Sequence, residues 1–174
     1  MSQVERAERR LHDRRPGERV LYAVLAFRVG GVRTTMIGGA AGIAGAAGAA
    51  AAAAVTRGAG AGTPARGLKL PGRCFVVLTD ERLLFYSIGG VFVGTPKTVL
   101  YEFDIARVTS VEEPESQHGI AQALRAGIGF DDGSVIRFEF PRLAVPDGRN
   151  LVNRLRLVLA ERSTGESTGE PTTG

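Results

Sequence analysis

Two stretches of apolar residues broken by polar turns, RCFVVLTDERLLFYSI at 73–88 and RAGIGFDDGSVIRFEF at 125–140, limit this chain more than anything else in it. Short runs rich in β-branched and aromatic residues, split by turn residues, are the pattern of a β-hairpin. In the first, Thr79-Asp80-Glu81-Arg82 supplies the turn, with Leu84, Tyr86 and Ile88 opposite Leu83 and Phe85 by parity. In the second, Asp132-Gly133 predicts a type I′ turn, matching Ala126, Ile128 and Phe130 to Ile136, Phe138 and Phe140. Between them, TVLYEF places Val99, Tyr101 and Phe103 on one face, and IARVTSV at 105–111 reads as the next strand. VFV reads as a loop or brief edge, and EEPESQHG at 112–119 as a loop. A helix over 147–162 follows, with Asp147 as N-cap and a stripe of Leu151, Val152, Leu155, Val158 and Leu159.

The N-terminal half is less regular. Residues 1–15 form a basic arm, and within 2–15 only Val4, Ala7 and Leu11 are apolar, spaced for one face of a short helix. Pro16-Gly17 stops it. ERVLYAVLAFR at 18–28 is apolar on both parities, and its β-branched and aromatic content together with Gly30-Gly31 favours a first strand. MIGGAAGIAGAAGAAAAAAV at 36–55 then carries no charge. Twenty helical residues would rise about 30 Å, the depth of a bilayer's hydrocarbon core. Gly38 and Gly42 would let two helices approach closely, and Ile37 and Ile43 are among its few strongly apolar side chains. Its glycines disfavour both insertion and an isolated helix. Three states stay open: a lipid-contacting helix, a self-associating or domain-packed glycine zipper, and a flexible insertion. Residues 56–72 read as linker, and the tail at 163–174, with STGE twice, as disordered.

Charge is distributed unevenly. Residues 1–73 hold 12 Arg and Lys against 4 Asp and Glu, while the remainder holds 10 against 14. A basic half suits an anionic partner, a lipid surface or nucleic acid, or else a solvated arm. Nucleic acid is the weaker expectation, because the arm lacks interleaved aromatics and a recognition helix. The single cysteine, Cys74, excludes an internal disulfide and fits a reducing compartment. With only His12 and His118 beside it, no Cys/His metal cluster can be assembled. Asp131-Asp132 and Asp80-Glu81 read as turn residues, and Glu112, Glu113, Glu115 and His118 as a solvated loop. The glycines of the tract lack the Gly-Lys-Ser/Thr ending of a phosphate loop. No catalytic residues, cofactor or metal are therefore expected.

The order strand, insertion, hairpin, strands, hairpin, C-terminal helix resembles the bacterial pleckstrin-homology-like (PH-like) domains. The residues behind the resemblance are PGERVLYAVLAF at 16–27, FVVLTDERLLFY at 75–86, IGFDDGSVIRFEF at 128–140 and the helix. It looks most like small actinobacterial proteins with a Gly/Ala-rich insertion after the first strand. The resemblance implies a mainly β (α+β) fold over 16–162: curved antiparallel sheets capped by an amphipathic helix and interrupted at 36–72. It also implies a non-catalytic binding or adaptor module. Arg57, Arg66, Lys69 and Arg73 occupy the position of the basic loop that inositide-binding members use, without reproducing its spacing. The expected partner is an anionic membrane surface, a protein, or both, at or near the inner face of the cytoplasmic membrane. A soluble homo-oligomer built on the glycine zipper is the alternative.

Overall fold

The computed structural model describes residues 2–9, 11, 15–32, 65, 67–89, 95–117 and 122–166. The run 18–28 becomes β1 (Val20–Arg28), and the first hairpin becomes β2 (Arg73–Thr79) and β3 (Arg82–Gly89). β4 (Thr95–Asp104), β5 (Val108–Val111), β6 (Glu115–Gln117), β7 (Ala123–Phe130) and β8 (Val135–Pro141) follow. All pair antiparallel in one sheet of order β4-β3-β2-β1-β8-β7-β5, with β6 also on β7. The architecture is mainly β with one long C-terminal helix.

The sheet bends strongly. In that order β4 and β7 are five strand spacings apart, about 24 Å in a flat sheet. Yet the rings of Phe103 on β4 and Phe130 on β7 lie 4.6 Å apart, and Phe85 on β3 meets Phe138 on β8 at 6.3 Å. The sheet therefore folds into two wings joined through β1, and the aromatic residues between them form the main core.

Helix α2 (Val145–Glu166) closes this core with Leu151, Val152 and Leu155, all fully buried. Asp147 is not its N-cap. The helix begins at Val145, so Asp147 lies in its first turn, where its carboxylate accepts the Tyr22 hydroxyl at 3.1 Å. The helix also runs on to Glu166, four residues into the segment read as tail.

β2 explains why CFVVL is apolar without alternation. Cys74, Val76 and Leu78 join the main core, while Phe75 and Val77 are buried on the opposite face. That outer face is covered by α1 (Gln3–Glu8), which docks Ala7 and, just beyond it, Leu11. Ser2 and Glu5 form a capping box at its start. An isolated helix this short has no stability of its own, so its order comes from the sheet.

Three expectations about connections need correction. Ile105–Arg107 is a 3₁₀ turn, leaving only Val108–Val111 as strand. Glu115–Gln117, read as loop, is a strand because β7 extends far enough to pair with it. The turn at 131–134 is not type I′. That type needs left-handed backbone at both central residues, and among these residues only Gly133 has it, at φ +75°. Gly133 N donates to Phe130 O at 3.0 Å and Phe130 N to Ser134 O at 2.9 Å, a type I turn closed by a glycine bulge.

The largest departure lies in the segment read as linker. Among its described residues, Ala65 and Leu70 are 3% and 5% exposed and belong to the main core, with Leu68 packed against it. The strap crosses between the wings. Ala65 N donates to Asp132 Oδ2 on the β7–β8 turn at 3.1 Å, and the Tyr101 hydroxyl on β4 donates to Lys69 O at 3.2 Å. Composition alone misreads it, because Ala65 and Leu70 are buried in a gap that only the folded sheet creates.

Candidate functional site

The strap leaves an open groove beside it, about 480 Å³, lined by Arg28, Leu68, Lys69, Ser134, Val135 and Arg137 among others. Arg28 is the last residue of β1, held in place where its N–H donates to Gly72 O at 3.3 Å. Arg28 and Lys69 are exposed. Arg137 is engaged, its Nε and Nη2 donating to the two oxygens of Glu112 at 2.9 and 2.5 Å. The groove therefore has an apolar floor and a basic lip.

Of the expected anion-binding residues, the structure brings Lys69 to this groove. Arg73 is exposed at the start of β2, opposite Phe27, on the face away from Cys74, and it does not line the groove. Arg57 and Arg66 lie outside the described residues, as do Gly38, Gly42, Ile37 and Ile43. Arg28 is legible in the sequence only as a basic residue flanking the tract, and Arg137 is not among the expected site residues. The signal for Arg137 was present, since alternation in VIRFEF turns it away from Ile136 and Phe138, but nothing linear joins it to Lys69.

A second groove, about 420 Å³, is lined by Glu112, Glu113, Glu115, Arg125 and Arg137. Four of its five lining charges are paired: Glu112 with Arg137, Glu113 with Arg156 at 2.6 Å, and Arg125 with Glu139 at 3.0 Å. Such a surface has little net pull on a charged ligand.

The buried charges are likewise internally satisfied. Glu18, fully buried, receives Arg82 Nε at 2.8 Å, Arg82 Nη2 at 2.6 Å, the Thr79 hydroxyl at 2.8 Å and Arg15 N at 2.9 Å. Burial pushes its carboxyl up, but the hydrogen bonds from Arg82, Arg15 and Thr79 outweigh it and bring it down to about 2. Arg82 also reaches Glu102, and Arg15 bridges Glu81, Glu102 and Asp104. This network fastens the chain after α1 to the β2–β3 turn and has the character of a structural pin.

Burial pushes the Cys74 thiol up to about 12, which leaves it without nucleophilic character. Asp131 pairs with Arg107, and Asp132 accepts from the hydroxyl and N–H of Ser134 and from Ala65 N, which together hold it below its usual range. Both aspartates thus serve the turn. Among the described residues no group of three or more His, Cys, Asp or Glu is placed to hold a metal ion, and no helix is long and apolar enough to cross a membrane.

No protein-family model matches the chain, and no curated protein matches it in sequence.

Proposed function

We propose that this chain is a non-catalytic PH-like binding or adaptor module that docks on an anionic membrane at the inner face of the cytoplasmic membrane. The order of its elements supports the PH-like part: first strand, insertion, hairpin, strands, hairpin, helix. The observation that carries the docking is the placement of Arg28 and Lys69. Both stand exposed at the groove beside Ala65, a residue that follows the uncharged tract in sequence.

A basic side chain close to an anionic surface contributes about 1 kcal/mol. Arg28, Lys69 and the neighbouring Arg73 together give only weak, reversible attachment. The Gly/Ala tract supplies the second contact that stable anchoring requires.

The test is co-sedimentation of the full chain with phosphatidylcholine vesicles, with and without phosphatidylglycerol, across a salt series. Binding should need phosphatidylglycerol and fall as salt rises. Arg28→Ala with Lys69→Ala should weaken it about thirtyfold, from roughly 1 kcal/mol at each position. Equal binding to neutral vesicles, or none at low salt, would refute the reading.

A further inference from the structure

Among the described residues the large apolar side chains that stand in water are Val135, Leu143 and Leu157, at 39%, 94% and 54% exposure. A surface leucine partly in water is ordinary. Leu143 is different in degree, since it touches almost nothing of its own protein. It is also presented rigidly. It lies in the 3₁₀ turn Arg142–Ala144, where Val145 N donates to Arg142 O. Pro141 and Pro146 flank the turn, and their rings fix the backbone on both sides. Packing gains nothing from a leucine in this place.

The charges around it are unanswered. Arg142 and Arg149 are both exposed, and neither meets a carboxylate among the described residues. Arg149 reaches the Ser116 hydroxyl at 3.5 Å, whereas Arg156, two turns further along α2, is paired with Glu113. Pro141 pairs with Ala123, and Ala123 packs with Phe27 and Val32, the latter four residues ahead of the uncharged tract in sequence. An apolar tip between free cations complements a surface that is anionic outside and apolar beneath. We infer that Leu143 is a membrane wedge: its side chain enters the acyl layer of an anionic bilayer while Arg142 and Arg149 rest among the phosphates. The inference rests on the membrane reading above and adds a contact from the junction of β8 and α2, which the groove does not include.

The chain has no tryptophan, so one introduced residue reports alone. Leu143→Trp and, as control, Leu157→Trp are made in the full chain. Each is bound to vesicles of phosphatidylglycerol and phosphatidylcholine, with and without phosphatidylcholine brominated on its acyl chains. Emission from position 143 should move to the blue on binding and be quenched by the brominated lipid; emission from position 157 should do neither. Leu143→Ser should weaken binding about tenfold, from the apolar burial lost. That loss should be equal at low and high salt, because an apolar contact is not screened as charges are. Bound protein unquenched at position 143, equal quenching at both positions, or Leu143→Ser with unchanged affinity overturns the wedge, and the membrane reading survives each. Failure of the unaltered protein to bind removes both.

Discussion

The hairpin turns at β2–β3 and β7–β8 look alike as strings of polar residues, TDER and DDGS, and are built on opposite principles. The first closes over buried charge: Arg82 is 4% exposed and Glu18 fully buried, joined by two hydrogen bonds and flanked by Thr79. The second stays in solvent, and its shape follows from local backbone chemistry at Gly133 and the Asp132 side chain. One turn is a junction where a distant part of the chain is fastened through buried charge; the other is an exposed reversal whose Asp132 also catches the strap at Ala65 N. Position in the fold, not residue type, decides which of two similar turns carries energetic weight.

The largest expected effect comes from the buried junction. Arg82→Ala leaves Glu18 buried without its main partner and should lower unfolding stability by about 3–5 kcal/mol in urea titration. Replacing the pair together, Glu18→Leu with Arg82→Met, should cost much less than the single change, because no buried charge is stranded.

Acid should act next. Glu18 titrates near 4.5 when unfolded and at about 2 when folded. The unfolded chain therefore binds the proton first as pH falls, and the contribution of this group, fully present above pH 4.5, is lost between there and pH 2. That loss is about 3 kcal/mol. Stability measured against pH should show this slope, and Glu18→Gln should flatten it.

The exposed turn should respond least. Gly133→Ala puts a Cβ on left-handed backbone and should cost about 1–2 kcal/mol. A larger loss than that of Arg82→Ala in the same titration would reverse the comparison.

The strands were legible where one face meets the core and the other does not. β8 shows it best, with Ile136 and Phe138 buried and Val135 and Arg137 exposed. β7 and β3 announced themselves through composition and a flanking turn. Two things lay beyond reach. Glu18 and Arg82 look like ordinary surface charges, because a buried ion pair between residues far apart in sequence leaves no local pattern. The strap at 65–72 has the glycine and proline content of a linker, and only the gap between bent wings gives its leucines somewhere to go. The same gap brings Arg28 and Lys69 to one groove, a meeting that no linear pattern shows.

Pro114 has a quieter consequence. β5 and β6 lie along the same side of β7, and the break between them at Glu112, Glu113 and Pro114 divides that rim into pieces of four and three residues. A stranger's strand arriving there finds no long row of free amides and carbonyls to copy, and a residue without an N–H sits at the interruption. That border of the sheet is thereby blunted against stacking into fibres.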